Sequence, residues 1–235
     1  FSNLHFKESL SVDNRKRGNL KSLVSSFGIV LKNRRYVYYV LQMGFAMGVL
    51  FANISSSPFI VQQHYGFSAF EFSLFFGINA LAIGLAAGLS VKFKNPEHAM
   101  FLGSVGMTIM SAVEFVILSN EYHFAVYEAV LFVLLFSMGL TFTASTTLAM
   151  DCERANSGTA SALFGAAGFA FGGIVSPLVG LGDILSTTGL IFFVCSVCSL
   201  CFSVFAMNQT HTTSWGSFNG KMGPVARFVF LRREK

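Results

Sequence analysis

Six apolar runs, at about 36–56, 70–91, 99–118, 124–149, 158–181 and 185–207, occupy most of this chain. Each is about 20 residues long or slightly more, enough as a helix to cross a hydrocarbon core near 30 Å thick. The pattern predicts six transmembrane helices joined by short connections. Ser68-Ala-Phe-Glu71 reads as a capping box opening the second helix, with the serine and the glutamate each satisfying a free backbone N–H. Lys92-Phe-Lys-Asn-Pro96 ends that helix with charge and a proline. Ahead of the runs, residues 1–35 are polar and basic. Leu20, Leu23, Val24, Phe27, Val30 and Leu31 recur there at three- and four-residue steps, as in an amphipathic helix on a membrane surface, although a simple loop fits equally well. Residues 208–235 form a basic tail, with Trp215 and Arg232-Arg-Glu-Lys235, expected to be mobile and membrane-adjacent.

The six helices read as three repeated twice. The first carries Gln42, Ala46, Val49, Asn53 and Ser56 on one stripe, and the fourth carries Ser137, Thr141 and Ser145. Polar stripes of this kind are expected to face something wet. The second has Gly77, Ala80, Gly84 and Gly88 on one face, with Asn79 opposite, where it either faces a cavity or caps a neighbour. On the fifth, Gly158, Ser161, Gly165, Gly168, Gly172 and Ser176 fall within roughly 80° of one face, ahead of Pro177. Small residues stepped along a membrane helix let a second backbone approach closely, either as static packing or as a contact that slides. The third and sixth, rich in Phe, Ile, Val and Leu, have the composition of lipid-facing helices. Each triplet crosses three times, so the second starts from the opposite side. The expected fold is an all-α integral membrane protein with a three-plus-three inverted repeat.

Composition supports this class. With 53% hydrophobic and 11% charged residues and a mean hydropathy of +0.62, an ordinary soluble globule is excluded. All 16 Lys and Arg lie before the first helix, at Lys92 and Lys94, at Arg154, or after Met207. That alternation places both termini in the cytoplasm. Glu114 and Glu128 sit about one turn inside the opposite boundary, near Glu121 and His123, where a solvated rim explains them as well as a proton-coupling role does. Asp151, Glu153 and Arg154 read as a charged surface cap. Cys152 stands alone in a loop, and Cys195, Cys198 and Cys201 step by three without an accompanying His or acid, so no metal is expected. No His lies at a helix centre, and neither His-Glu-x-x-His nor Gly-x-Ser-x-Gly occurs, which argues against an enzyme. No cofactor and no nucleic-acid partner are expected. Most of the 28 Phe are lipid filler, although Phe45 and Phe51 flank the polar stripe, where a flat ligand could touch them. The chain opens on Phe1 with no leader pattern, so its native beginning is expected to lie upstream.

Several spaced segments carry a family resemblance: Leu50-Phe-Ala-Asn-Ile-Ser-Ser-Ser-Pro-Phe-Ile-Val-Gln-Gln-His-Tyr-Gly-Phe-Ser68, Phe75-Phe-Gly-Ile-Asn-Ala-Leu81, Gly158-Thr-Ala-Ser-Ala-Leu163 and Ser176-Pro-Leu-Val-Gly180. Together they resemble the second half of the Bcr/CflA drug exporters of the major facilitator superfamily. Lys7-Glu-Ser-Leu10 is similar to the Glu-Thr-Leu-type segment that follows the sixth of that family's twelve helices. Asn53 departs from the pattern, standing where the family more often has tyrosine.

The resemblance implies a proton-driven antiporter of the cell inner membrane that expels small amphipathic drugs through a cavity between two six-helix halves. The amino-terminal half, with its coupling acids, is the partner absent from this chain. On that basis Gln42, Asn53, Ser56, Asn79, Ser137, Thr141 and Ser145 are candidate cavity residues, with interhelical hydrogen bonding as the alternative for each. Gly84, Gly88, Gly165, Gly168 and Gly172 are candidate packing positions against the other half. The competing reading is a non-transporting half-unit packed on another membrane protein.

Overall fold

The computed structural model describes residues 20–221, with side chains from 25 to 209. The segment containing Lys7-Glu-Ser-Leu10, the side chain of Trp215 and the end of the basic tail lie outside the described residues. Helix α1 (Leu20–Leu31) is followed by six long apolar helices: α2 (Arg34–Pro58), α3 (Ala69–Ser90), α4 (Pro96–Ser119), α5 (Phe124–Cys152), α6 (Ser157–Leu178) and α7 (Ile184–Lys221). All six apolar helices are long enough to cross a membrane, in α7 over Ile184–Gln209. The chain is an integral membrane protein. Val30 of α1 is fully buried against the bundle while Ile29 and Leu31 stay exposed, so this helix docks through a narrower stripe than its sequence suggests.

Capping chemistry sets the helix starts. Asn33 accepts from the Tyr36 N–H, Ser68 and Glu71 form the capping box, Asn95 accepts from Glu97 ahead of a first-turn Pro96, and His123 accepts from Ala125. Pro96 therefore opens α4 as much as it separates α4 from α3. The first span runs past its expected end at 56. After Pro58 it continues as a π-helical segment, Phe59–His64. The proline ring removes one donor and crowds the carbonyl of Ile54, and the following amides reach one residue further back, as in Tyr65 N–H to Ile60 O at 3.0 Å. Gly66, at φ 77°, then turns the chain in a conformation that side chains disfavour.

At the start of α7, the Asp183 carboxylate accepts from the Ser186 N–H at 2.9 Å and its hydroxyl at 2.8 Å. These bonds hold its pKa below the ordinary aspartate range. The stabilisation is thus present above the unfolded-state value and is lost as pH falls through the folded one. Asp183→Ala should cost about 1 kcal/mol at neutral pH. Exchange protection of the Ser186 amide, measured against this variant, should lose its advantage in acid; an advantage independent of pH would refute the cap.

The helices interleave. α4 packs on α5 as α7 packs on α2, α3 packs on α5 as α6 packs on α2, and the pairs α2/α5 and α4/α7 close the set. Exchanging the triplet α2–α4 with the triplet α5–α7 leaves this neighbour pattern unchanged, as an inverted repeat requires. All of these packings run between triplets, so neither triplet buries its surface alone. The result is a row in the order α3, α5, α2, α6, backed by α4 and α7. Within this chain α4 and α7 are more enclosed than the glycine-rich α3 and α6, with 39% and 33% of their spans buried against 17% and 28%. At the back of the row α4 and α7 have each other, whereas α3 and α6 are end helices.

The cation-bearing ends of α2, α4, α5 and α6 are tied together. Arg35 pairs with Glu97 at 2.9 Å, Asn33 donates to Glu153 at 2.7 Å, and the Tyr36 hydroxyl donates to the Ala160 carbonyl at 2.6 Å. Arg154 pairs with Asp151 at 3.0 Å on the surface, where such a pair is worth little, while Glu153 serves Asn33 instead.

Candidate functional site

Gln42 lies at the crossing of four helices, fully buried. Its side-chain N–H donates to Ser199 Oγ of α7 at 3.1 Å and approaches Ser104 Oγ of α4 at 3.5 Å. Its side-chain oxygen accepts from the Ser145 hydroxyl of α5, and Ser199 donates to its backbone carbonyl at 3.1 Å. In hydrocarbon a free amide costs several kcal/mol, so a side chain able to use donor and acceptor together draws in hydroxyls from each neighbour. The single Ser145 hydroxyl hydrogen is shared with Thr141 O of its own helix, and Thr141 approaches Met100 O at 3.5 Å.

The other candidates are equally enclosed. Ser57 donates to Asn53 Oδ1 at 2.8 Å, Ser56 contacts Asn53 O at 3.5 Å, and Ser137 donates to Val133 O of its own helix at 2.8 Å. Asn79 crosses from α3 to donate to Glu128 Oε1 of α5 at 2.9 Å. All seven are buried, the most exposed at 7%. A residue lining a cavity between this chain and another body would be open in this chain alone. Within this chain the stripes are therefore enclosed: Gln42, Asn79, Thr141 and Ser145 reach partners on neighbouring helices, while Asn53, Ser56 and Ser137 bond within their own helix.

The glycine tracks divide. A Cβ on Gly168 would meet Met43 Sδ at 3.3 Å and one on Gly172 would meet Phe51 Cε2 at 2.7 Å, both on α2 of this same unit, not on a separate half. At Gly84, Gly88 and Gly165 a Cβ would meet nothing within 4 Å. Phe51 thus fills the notch over Gly172, and Phe45 stacks on Phe202 at 5.7 Å and meets Phe171 edge-on at 4.8 Å, locking α2 to α6 and α7. Ser55 and Ser176 join the same two helices, α2 and α6, by a short hydrogen bond. Cys195 is a packing residue, its sulfur 3.1 Å from where a Gly48 Cβ would stand.

The uncovered front of the row is shaped by residues that sequence reasoning missed. On α2, Leu50 and Ile54 stand about 80° and 120° round from Gln42, between the sides that meet α5 and α6, and both are partly exposed. On α5, Phe142 and Thr146 stand about 60° and 100° round from Ser145, towards α3, and are also partly exposed. Apolar residues beside a polar stripe look like lipid contacts in a sequence; only the position of α3 and α6 on either side makes them a wall.

Glu114 also departs from expectation. Rather than occupying a solvated rim, it is completely buried, and neither carboxylate oxygen has a hydrogen-bond partner. Among the described residues no group of three or more His, Cys, Asp or Glu is placed to hold a metal ion.

Residues 7–177 match the family described as Major Facilitator Superfamily. The chain is similar to an uncharacterized MFS-type transporter, YdgK, of Bacillus subtilis (strain 168), with 34% identity over 198 residues, 83% of this chain and 49% of the relative. The chain thus spans about half the length of the curated relative it matches.

Proposed function

This chain belongs to the major facilitator superfamily, and from that premise we propose that it forms the carboxyl-terminal half of a proton-coupled exporter of small amphipathic drugs or metabolites. The observation that carries the reading is the one-sided row α3, α5, α2, α6. Its end helices bury only 17% and 28% of their spans within this chain, against 56% and 50% for α2 and α5. A second six-helix half laid on that side would cover α3 and α6 and leave a cavity over the centre.

In this reading Leu50, Ile54, Phe142 and Thr146 form the apolar wall that an amphipathic compound meets. Gln42, Asn53, Ser56, Asn79, Ser137, Thr141 and Ser145 form the polar layer behind it, which fixes the spacing of α2 and α5. Gly84, Gly88 and Gly165, open in this unit, are the positions left for close approach of the missing half. The Lys and Arg distribution puts both termini in the cytoplasm, and the segments resembling Bcr/CflA exporters favour the bacterial inner membrane and drug substrates.

The test is ethidium accumulation in an efflux-deficient bacterial host with and without the full-length gene. The gene should lower steady-state ethidium, and a protonophore should restore it. Equal accumulation in both strains would refute drug export, and lowered accumulation that persists with protonophore would refute proton coupling.

A further inference from the structure

Around Glu114 the molecule leaves an unusual shortage of hydrogen-bond donors. Glu114 enters from α4, five residues before its end, and Tyr127 and Glu128 enter from the first turns of α5. Glu114 and Tyr127 expose nothing to solvent. Both Glu114 oxygens, Glu128 Oε2, Asn79 Oδ1 and the Tyr127 hydroxyl are buried without a partner. The surroundings are apolar, with Ile60, Val61, Ile117, Leu118, Phe124 and Leu131 in the same core cluster.

No cation relieves the acids. Among the described residues no Lys or Arg lies between Arg35 and Lys92, between Lys94 and Arg154, or from there to 209. The ionisable groups that act on this cluster are Glu114, Tyr127 and Glu128 themselves, with Tyr65 from the turn after α2 and Glu121 from the loop between α4 and α5. Tyr65 donates its hydroxyl to the Tyr122 carbonyl at 2.9 Å. His64 meets Tyr65 edge-on, and His123 is committed to the α5 cap. α7 contributes no charged side chain between 184 and 209, and Glu71 at the start of α3 is exposed and engaged with Ser68.

We propose that Glu114, Tyr127 and Glu128 form a proton-binding site, loaded from the membrane face opposite the cations. The inventory identifies the ligand. Ionised carboxylates only accept, Ser57 has given its hydrogen to Asn53, and Tyr127 brings one O–H to several acceptors. One added proton removes a buried charge that would otherwise cost several kcal/mol. A proton also needs no room, whereas an organic cation has no open surface at Glu114.

The entry route follows from exposure. Glu128, in the first turns of α5, is less deeply buried than Glu114 and stands on the side of the site nearer solvent. Tyr127 also lies beside Ser57 of α2, so loading bears on the helix at the centre of the row.

What the proton drives rests on the transporter reading; its binding does not. The test is infrared difference spectroscopy of the purified full-length protein in lipid vesicles, stepped between roughly pH 5 and pH 9. A protonated-carboxyl band should titrate in this window, be lost in Glu114→Gln, and shift its midpoint by about one pH unit in Glu128→Gln or Tyr127→Phe. A titrating band that survives Glu114→Gln, no such band at all, or a midpoint indifferent to both neighbours overturns the proposal. In the same vesicles, Glu114→Gln should lower pH-gradient-driven ethidium uptake at least tenfold relative to ethidium counterflow, and an unchanged ratio would refute the coupling of this proton to export. If the wild-type protein moves no ethidium, the export reading falls while the titration still decides the site.

Discussion

Gly103→Val should destroy the folded bundle, with an expected loss of about 3–5 kcal/mol. α4 and α5 make the most extensive helix contact in the molecule. At its centre a Cβ on Gly103 would stand 2.7 Å from the Ser137 carbonyl oxygen and 2.8 Å from the Thr141 amide nitrogen. Both are backbone atoms of α5, so no rotamer change relieves the clash and the helices must separate. Separation would also pull Gln42 and Ser145 out of register. Thermal unfolding of the purified protein in lipid or mild detergent should show the loss. Gly28→Ala, where the added Cβ meets nothing within 4 Å, should leave the transition unchanged or raise it. A Gly103→Val protein with wild-type stability would show that α4 and α5 are not packed at this distance.

Gln42→Ala is the second large effect, an expected loss of about 2–4 kcal/mol. The variant removes the side-chain link between helices at Ser145, Ser104 and Ser199, each of which keeps only a backbone acceptor, and opens a void where four helices cross. Individual interhelical hydrogen bonds in membranes are worth only about 0.6–2 kcal/mol, so the estimate depends on several being lost together with the packing. A double-mutant cycle with Ser145→Ala should give a coupling of at least about 0.5 kcal/mol, and additive losses would show that the Gln42–Ser145 bond contributes nothing. The comparison also separates two roles for Gln42. A cavity residue changes which compounds are exported while stability holds; a structural node lowers stability and folded yield first.

The polar stripe on α2 was legible as a stripe, and its destination was not. Periodicity records that Gln42, Asn53 and Ser56 share a side of one helix and that this side avoids lipid. Water in a cavity and a serine on another helix satisfy that record equally. The same ambiguity split the glycines. Gly165, Gly168 and Gly172 share one face, yet Gly168 and Gly172 lie against α2 while a Cβ on Gly165 would meet nothing within 4 Å. Leu50, Ile54, Phe142 and Thr146 carried no signal of their own. Glu114 was visible as a charge near a boundary, but its depth depends on Tyr127 and the neighbouring core closing over it.

The sequence by itself determined what lipid demands of any chain. Six apolar stretches long enough to cross, cations gathered at one set of ends, and capping groups at the starts of α3 and α4 all follow from interactions within a helix or between a helix and its solvent. Tertiary structure alone decided which helix faces meet. The interleaved triplets, the four-helix node at Gln42 and the enclosure of Glu114 join residues far apart along the chain. Such contacts depend on crossing angles and side-chain shape summed over whole surfaces, and no local stretch of sequence records that sum.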